Sequence, residues 1–484
     1  MSNIKRRDLL LLLTIIIYSY LFYEHDIGIN LPIFNLTLLA AIFIDRSFNT
    51  VSKPILVLAS TSLITSIAVI MIHSDLAITA SVLSTLVLLG YSLNSKTSMF
   101  VTLLNAVYSI MASPFIYLAR YFHQKPAKET HPERRVSSHE LKLLRFGSFA
   151  LPALITLIFL SLYANANPAF SSFIKSIDLD FISWGWVRFT MIGSFLLFGC
   201  FYGVRLNHLI KMDIDAGNRI ERKRRNRKLI FHPLALKFEL KTGMILLFFL
   251  NILLLVFNIV DIRYVLGATL PEGLSYSEYV HQGVYTLIVS IILAILIILY
   301  FLRSNLNFYP DKSRMLLFAY VWIIQNIVLA LTTAYKNALY IEEYSLTYKR
   351  IGVFVYLFLA LAGLLTTYLK VVNKKNLWYL IRRNSWVAYG LLCTMSIWNW
   401  DKIITQVNYK QNKEVDFEYL IKLSDANLPL LQSWENNGLL TRDSYRNLLQ
   451  TKRKDFYERM EKQGWQSWNY RDDQTFQELE VATQ

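Results

Sequence analysis

The sequence predicts an all-α, polytopic bundle of 11–12 transmembrane helices with a small helical C-terminal tail domain. Three observations predict it: a dozen or so apolar segments separated by short polar breaks, 54% hydrophobic against 17% charged residues, and charges gathered between the segments. An α-helix needs roughly 20 apolar residues to cross a bilayer. Segments 242–260, 315–333 and 351–369 meet that length without a charge.

The remaining segments follow in a regular series along the chain. The candidate spans are 9–23, 30–44, 54–73, 76–93, 98–119, 146–164, 185–204, 242–260, 283–302, 315–334, 351–369 and 384–398. Aromatic residues such as Tyr20, Tyr23 and Trp398 stand at segment ends, where their rings favour the headgroup layer. Lys5–Arg7 precede the first segment without a small-residue cleavage site after it, which predicts an uncleaved first span.

Two long basic loops interrupt the series. The segment 120–145 carries seven Lys or Arg residues, and nine lie between residues 205 and 228 of the loop 205–234. The positive-inside rule places both loops in the cytoplasm, where anionic lipid attracts them. The net charge of +16 is therefore assigned to the membrane surface, and nucleic acid is excluded as a partner.

This assignment fixes a topology for an inner (cytoplasmic) membrane protein. The loops 261–282 and 335–350 are predicted outside, the loop 370–383 inside, and the tail outside. The predicted domains are N-terminal membrane segments 1–119, cytoplasmic loop 120–145, membrane core 146–398 and an extramembrane tail 399–484.

The N-terminal third conflicts with the topology. Five apolar runs lie between Lys5–Arg7 and the first basic loop, yet both ends are predicted inside, which requires an even number of crossings. One run is expected to be re-entrant, interfacial or merged with its neighbour. The run 30–44 is the shortest and is the expected exception.

The tail has a near-balanced charge and a helical composition. Residues 416–423 and 442–462 are predicted to form amphipathic helices, with Ser424 as a cap. The aromatic residues Trp465 and Trp468 are expected either to fold back on the tail or to enter the membrane interface.

The outer loops carry most of the chemically capable side chains. The candidate polar cluster on the outer face consists of Asp261, Arg263, Glu278, His281, Glu342, Glu343, Lys349 and Arg350. Such groups can bind a polar ligand or transfer protons. The alternative is a set of helix boundaries, with Ser275 and Glu278 forming a capping box.

Four amides are predicted inside the spans: Asn251, Asn258, Gln325 and Asn326. They either hydrogen-bond between helices, at about 0.6 kcal/mol each, or line a path for a solute. The predicted spans contain no mid-span carboxylate of the kind that proton-driven carriers use.

The catalytic motifs of familiar enzyme classes are absent from the sequence. It has no phosphate-binding Gly-rich loop with Lys-Ser/Thr, no Gly-x-Ser-x-Gly and no His-Glu-x-x-His. Cys200 and Cys393 lie in apolar runs and are predicted to be buried, and no Cys/His spacing fits zinc. We expect no cofactor and no metal.

Several stretches together resemble a known family. They read Asp-Ile-Arg-Tyr-Val at 261–265, Gly-Leu-Ser-Tyr-Ser-Glu-Tyr-Val-His-Gln-Gly at 273–283, Ser-Asn-Leu-Asn-Phe-Tyr at 304–309, Tyr-Ser-Leu-Thr-Tyr-Lys-Arg at 344–350, Trp400-Asp401 with Asn408, Asp-Ala-Asn-Leu-Pro at 425–429 and Trp-Gln-Ser-Trp-Asn at 465–469. This set resembles bacterial multi-pass membrane proteins filed as domains of unknown function four-one-five-three and four-one-seven-three.

The resemblance covers about the C-terminal half, while the first half is similar only in hydropathy. It implies a polytopic inner-membrane protein and brings no activity. One departure lies after the last span, where the family usually places Ala-Arg before Tyr-Asn. Here Thr-Gln-Val-Asn-Tyr stands at 405–409, so no role of that Arg is carried over.

Three hypotheses of function remain. The first is a non-enzymatic cell-envelope protein that senses or binds an envelope partner through its outer tail. The second is a small-molecule transporter or channel with Asn251, Gln325 and Asn326 on a water-filled path. The third is a transferase acting on lipid or glycan precursors at the outer surface, with its site at Asp261, Glu278, His281, Glu342 and Arg350.

Overall fold

The chain is represented by a computed structural model. It describes residues 6–46, 53–123, 183–220, 233–267, 276–302, 305–410, 416–436 and 442–483, with short stretches between 155 and 170. Most of the basic loop 120–145, the candidate span 146–164 and the run Arg222–Arg225 lie outside the described residues.

The described elements are helical throughout. They are α1 Arg6–Phe22, α2 Asn30–Arg46, α3 Lys53–Ile72, α4 Asp75–Leu93, α5 Met99–His123, α6 Trp184–Phe201, α7 Asn207–Asp215, α8 Pro233–Gly267, α9 Tyr276–Phe301, α10 Ser313–Tyr344, α11 Tyr348–Val372, α12 Leu377–Ser396, α13 Trp400–Lys410, α14 Phe417–Ile421, α15 Leu428–Asn436, α16 Asp443–Lys462 and α17 Tyr470–Thr483, with short 3₁₀ turns at Asn305–Phe308, Asp425–Asn427 and Trp465–Ser467. This confirms the all-α prediction.

Several of these helices have the length and composition of membrane spans. Among the described residues seven helices qualify: α3, α4, α5, α6, α8, α10 and α11. Two shorter apolar helices, Asn30–Asp45 and Thr286–Phe301, accompany them. Many of their large apolar side chains are exposed, for example Phe249 at 64% and Leu253 at 67% on α8. Such exposed apolar helix surface is expected toward lipid, and the prediction of a multi-pass membrane protein is confirmed.

The helix ends lie at two faces of the bundle. At the first, which we call the tail face, the turns 23–29, 73–74 and 345–347 contact the tail. Ile29 N–H donates to the Trp468 carbonyl at 2.8 Å, and Leu346 N–H donates to the Asn408 side chain at 2.6 Å. A side chain at Gly28 would overlap the Ser467 carbonyl, so the tail rests directly on the backbone of the α1–α2 turn.

At the opposite end, the basic face, the remaining turns converge. Arg7 at the start of α1 pairs with Asp45 at the end of α2, with Nε 2.9 Å from Oδ2. Arg382 near the start of α12 pairs with the fully buried Asp213 on α7 at 3.0 Å. The Asn376 amide, which caps α12, donates to the Ala216 carbonyl at 2.8 Å. Most residues of the predicted inner loop 370–383 belong to the end of α11 or the start of α12.

The path of helix α5 bears on the parity conflict of the N-terminal third. It begins beside α7, where Ser98 N–H donates to Asp213 at 2.6 Å, and Tyr117 near its other end shares a cavity with Arg7, Asp45 and Tyr202. Both ends of α5 therefore lie at the basic face, although its length and hydropathy suit a span.

Helix α2 was the expected exception, and it is one of the shorter apolar helices, but it runs from one face of the bundle to the other. Its first residue, Asn30, lies at the tail face and Asp45 at the basic face. Its polar Asn35 is satisfied inside the bundle, because the amide donates to Ser81 at 2.9 Å and Ser66 at 3.3 Å. The shorter run therefore extends between the faces, while the longer α5 does not.

Among the described residues, the three largest buried apolar clusters join helices as follows. Helices α8–α11 share a core that includes Leu247, Ile291 and Ile323. Helices α1, α2, α4 and α6 share another core around Ile42. The third core belongs to the tail, around Trp434 and Phe456, and includes Ile351 of α11. The tail is thus packed on the membrane bundle rather than separate from it.

Candidate functional site

Asp261, which the sequence placed in an outer loop, lies inside α8, because that helix continues to Gly267. Its side chain is only 3% exposed and forms an ion pair with Lys336 of α10, which is 9% exposed. Lys336 was not among the predicted site residues. Asp261 Oδ2 has no hydrogen-bond partner among the described residues. The pair joins two apolar helices near their tail-face ends.

The predicted amides form a column between the same two helices. Asn251 donates to the Phe318 carbonyl at 3.0 Å, and Asn258 donates to the Gln325 carbonyl at 3.1 Å. From the first hydrogen bond to the second, the donor on α8 and the acceptor on α10 each advance by seven residues. The two helices therefore run parallel and in register. Two of the four amides therefore make the predicted contacts between helices.

The column also contains buried oxygen atoms without donors. Asn326 donates to the Trp322 carbonyl of its own helix at 2.7 Å. Among the described residues, the unpartnered side-chain oxygens of this column belong to Asn251, Asn258, Asp261, Gln325 and Asn326. Each represents an acceptor that water or a cation could satisfy, because buried polar groups normally have a partner.

The other outer-loop candidates do not gather around Asp261. Arg263, Glu342, Glu343 and Lys349 are exposed. Arg350 lies 4.3 Å above the ring of Tyr340 and donates to the carbonyls of Tyr344 and Ser345. Arg350 thereby caps the C-terminal end of α10, a favourable place for a cation. The side chains of Glu278 and His281 lie outside the described residues.

A second cluster, in the tail, was not predicted as a site. At its centre is Asp401 of α13, 6% exposed, which accepts hydrogen bonds from Tyr348 of α11 at 2.7 Å and from Ser424. Ser424 was predicted as a helix cap, but its hydroxyl makes no cap contact and donates to Asp401 instead. The carboxylate therefore links the tail to the start of a membrane helix.

Lys452 of α16 closes the cluster from the other side. Its ammonium donates to the carbonyls of Ile421 at 2.9 Å and Leu423 at 2.7 Å and lies 3.9 Å from Asp425. Burial lowers the pKa of Lys452 to about 8, while the nearby carboxylates of Asp425 and Asp401 oppose the shift. The carbonyls of Ile421, Leu423 and Ser424 accept hydrogen bonds from this ammonium, but they do not restore the solvation lost on burial.

Arg471 of α17 extends the network to the N-terminal helices. Its guanidinium donates to the carbonyls of Ile72 at 2.7 Å and His73 at 3.0 Å, and also contacts Ser424. Nη1 donates to both carbonyls and Nη2 to Ser424, so the two arms of the guanidinium serve two segments at once, which a lysine could not do. The α3–α4 turn, the tail and the start of α11 are thereby joined through one chain of contacts.

The charge signal alone could not have identified this cluster. Its members lie far apart in the sequence: Tyr348, Asp401, Ser424, Lys452 and Arg471. A balanced charge along amphipathic helices usually indicates a face exposed to solvent. A better signal was the resemblance. The stretches 344–350, 400–408 and 425–429 meet around Asp401, and 465–469 lies against the α1–α2 turn.

Asp472 provides a pH-dependent contact at the same seam. Burial alone would raise the pKa of Asp472, but the hydrogen bond and charge of His73, the Asn469 amide and Arg459 outweigh burial and lower it to about 2. The His73 Nδ1 lies 3.4 Å from this carboxylate, and Nε2 lies 2.8 Å from the Ile27 carbonyl. The imidazolium form of His73 can donate to both partners at once.

The lowered pKa predicts acid-dependent stability. A depressed carboxyl pKa stabilises the fold above the unfolded value near 4, and this contribution is lost as pH falls toward 2. The contribution is about 2–3 kcal/mol, because a shift of nearly two pKa units corresponds to about 1.4 kcal/mol per unit. We expect the difference in unfolding free energy between wild type and Asp472→Asn to shrink between pH 4 and pH 2.

Denaturant titrations of the purified full-length chain at several pH values measure this difference. Asp443→Asn is the matched control, since that carboxylate is 92% exposed, and it should show no such change. A difference that stays constant across the pH range would contradict the prediction.

A groove runs along the seam between the tail and the α1–α2 turn. This seam groove has a volume of about 420 Å³ and is lined by Glu24, His25, Asp26, Asp455, Glu458, Arg459, Lys462, Gln463, Gly464 and Ser467. Its lining is charged and polar, with carboxylates on both walls. In the described part of the chain, no group of three or more His, Cys, Asp or Glu residues has a metal-binding arrangement.

Arg459 belongs both to the groove and to the buried network. It lines the seam groove, and its guanidinium lies 2.7 Å from Asp425 and 3.7 Å from Asp472. Asp425 in turn contacts Lys452, and Asp472 contacts His73. A molecule that engaged Arg459 from the groove would therefore be linked, through Asp472, to the contact with His73 that joins the tail to the bundle.

The comparisons with known proteins identify a family and nothing finer. A family model described as "Domain of unknown function (DUF4153)" matches residues 36–433. This match begins in α2 and ends in α15, so it reaches much further toward the N-terminus than the expected C-terminal half, and it stops before the stretch 465–469. No curated protein and no solved structure matches the chain.

Proposed function

Since the chain belongs to the membrane protein family described as a domain of unknown function (DUF4153), we propose its function from geometry: it binds a polar partner at the seam groove. Binding is communicated to the membrane helices through the tail. This makes the protein a non-enzymatic binding or sensing protein of the cell envelope. The observation that carries the proposal is the double role of Arg459, which faces the groove and holds Asp425 and Asp472.

The coupling has a physical route. Asp472 faces His73 in the α3–α4 turn, whose carbonyl is held by Arg471. Arg471 contacts Ser424, and Ser424 donates to Asp401, the partner of Tyr348 on α11. A partner that bound the groove with the tail docked would stabilise this arrangement, because binding and docking would be linked equilibria.

The charge distribution supports an extracytoplasmic tail. Basic side chains such as Arg205, Lys312 and Lys375 lie at or next to the face opposite the tail. By the positive-inside rule that face is cytoplasmic, and the tail and the seam groove face the outside of the inner membrane. The partner would then be an envelope component.

Site-specific photocrosslinking in intact cells tests the proposal. A photoreactive residue replaces Lys462, which lines the groove, or Lys454, an exposed residue of the same helix that does not. We expect a discrete adduct from position 462 and none from 454. Arg459→Gln should lower the yield at 462 several-fold, because the guanidinium would contribute charge-assisted hydrogen bonds.

The same experiment can reject the proposal. Equal adducts from both positions would indicate contact without recognition, and absence of any adduct from position 462 would show an unoccupied groove. An undiminished yield in Arg459→Gln would remove Arg459 as the link between binding and docking.

A second candidate function, passage of a cation or proton between α8 and α10, is favoured by one observation. The column described above leaves buried acceptor oxygens on Asn251, Asn258 and Asp261 without donors. Ionisable groups inside a membrane are often functional. The two candidates differ in hydration: a conducting column contains water around Asp261 and Lys336, whereas a purely structural one is dry.

The transferase hypothesis receives no support from the placement of its residues. Asp261 is buried against Lys336, Glu342 is exposed, and Arg350 is engaged with the end of α10. These three described members do not share a site, so we do not propose transferase activity.

A further inference from the structure

A second cavity, independent of the tail, opens at the basic face. It has a volume of about 420 Å³ and is lined by Arg7, Asp45, Ser92, Leu93, Tyr117, Phe201, Tyr202, Gly203 and Arg205. These residues come from the ends of α1, α2, α4 and α6 and from the last turns of α5. Neither the binding proposal nor the helix packing assigns this cavity a role.

One carboxylate lines the cavity, a second lies beside it, and both are engaged. Asp45 accepts from Nε of Arg7 at 2.9 and 3.0 Å, and Asp8 beside the cavity accepts from the Tyr202 hydroxyl. The Arg7 guanidinium also lies 5.4 Å from the centre of the Tyr202 ring. Asp45 is therefore paired with a cation, while the carboxylate of Asp8 is engaged by a neutral hydroxyl.

Several donors in the wall remain available. The terminal nitrogens of Arg7, the guanidinium of Arg205 and the hydroxyl of Tyr117 have no hydrogen-bond partner within the described segments. Arg120 stands next to them, 5.7 Å from the centre of the Tyr117 ring. Arginine forks recognise phosphate oxygens in a bidentate manner. The cavity thus offers cationic donors to an anion.

The position of the cavity favours a lipid as the source of that anion. The cavity lies where apolar helices end, and helix ends of this kind are expected at the depth of the lipid headgroups. Large apolar side chains next to the lining residues are exposed: Leu9 at 52%, Ile44 at 43% and Leu118 at 39%. They would offer a surface to acyl chains, which a free phosphate could not use. Basic pockets between membrane helices on the cytoplasmic side suit anionic headgroups.

We propose that this cavity binds the phosphate headgroup of an anionic phospholipid. Arg205 and the terminal nitrogens of Arg7 hold the phosphate, while the Tyr117 hydroxyl donates to a headgroup or ester oxygen. The bound lipid fills the space between α5 and the ends of α1 and α6. The same headgroup would also secure α5 at the basic face.

Native mass spectrometry of the purified full-length protein tests the site. The probes are dioleoyl phosphatidylglycerol, dioleoyl phosphatidylcholine and inorganic phosphate, each titrated separately. We expect preferential binding of phosphatidylglycerol and an apparent Kd about tenfold weaker in Arg205→Gln, as expected for the loss of one charged contact. Tyr117→Phe should weaken binding by a smaller factor, because a neutral hydrogen bond is lost.

Lys211→Gln is the matched control, an exposed cation on α7 that does not line the cavity, and it should bind phosphatidylglycerol like the wild type. Arg205 is itself exposed, so its replacement leaves the packing intact. Equal binding of both lipids, or an unchanged Kd in both Arg205→Gln and Tyr117→Phe, would overturn the site. Saturable binding of inorganic phosphate that prevents lipid binding would overturn the assignment to lipid.

Discussion

Lys336→Met is expected to lower the free energy of unfolding by about 3–5 kcal/mol, the usual cost of removing one partner from a buried ion pair. The substitution retains an apolar side chain of similar length but leaves Asp261, 3% exposed, as an uncompensated carboxylate between α8 and α10. Asp261 Oδ2 already lacks a partner among the described residues, so the variant would strand both oxygens.

The double variant Asp261→Leu/Lys336→Met separates charge from packing. Replacing a buried ion pair by apolar residues is often neutral or stabilising, so the double variant should recover most of the stability lost in Lys336→Met. Thermal unfolding of the purified protein in detergent measures all three. Lys454→Met is the control, because that lysine is 77% exposed and its surface pair with Glu458 is worth less than about 1 kcal/mol.

The outcome also discriminates between the two candidate functions. If water filled the column, it would solvate Asp261 after loss of Lys336, and the single variant would lose little stability. A small loss would therefore contradict a dry structural pair and favour the cation or proton path. A large loss with recovery in the double variant would leave the seam groove as the better candidate site.

The membrane architecture could be predicted from the sequence because apolar length is a local property. Helix α8 shows the limit: the charges at Asp261 and Arg263 suggested that the span had ended, whereas the helix continues to Gly267. The buried Asp261 within it pairs with Lys336, which lies 75 residues away. No pattern within one segment reports such a partner.

Helix α5 shows a second limit. Its composition is that of a membrane span. The even number of crossings that the predicted topology requires indicated only that one of the five apolar runs does not cross the membrane. The sequence pointed to the shortest run, α2, which extends between the two faces of the bundle. Polar residues decide the path of α5: Asn105 accepts from Leu206 N–H at 2.8 Å and Ser113 from Val204 N–H at 3.2 Å, so the helix follows the segment that leaves α6.

The tail site depended on tertiary contacts that periodicity does not contain. Composition predicted the tail helices, and residues 442–462 agree closely with α16, Asp443–Lys462. The same pattern did not show that Lys452 and Arg471 are largely buried. Their burial arises only when α13, α16 and α17 pack together over the turn at His73, and only the stretches carrying the family resemblance pointed to that seam.

Arg471→Met is expected to detach the tail from the N-terminal helices. Arg471 is 5% exposed, and burial lowers its pKa while Asp472, Asp401 and Asp425 oppose that shift. Its removal leaves the carbonyls of Ile72 and His73 without this donor. It also removes the positive charge that α17 places near these three carboxylates. We expect a loss of about 3–5 kcal/mol, as for other buried charge networks that lose one partner.

Hydrogen exchange locates this loss. The Ile29 amide donates to the Trp468 carbonyl, so its protection reports whether the tail is docked. We expect faster exchange at Ile29 and along α17 in Arg471→Met, and intermediate rates in Arg471→Lys, which retains the charge without the fork. Arg446→Met is the control, because Arg446 is 46% exposed and pairs with the exposed Asp443. Unchanged exchange at Ile29 would mean that other contacts hold the tail.

The same variant connects stability with the proposed function. If the seam groove exists only while the tail is docked, Arg471→Met should lower crosslinking at position 462 although Arg471 does not line the groove. A variant that loses protection at Ile29 but keeps full crosslinking would show that the tail recognises its partner alone. The membrane bundle would then anchor the tail without taking part in recognition, and the route through Arg459 would carry no signal.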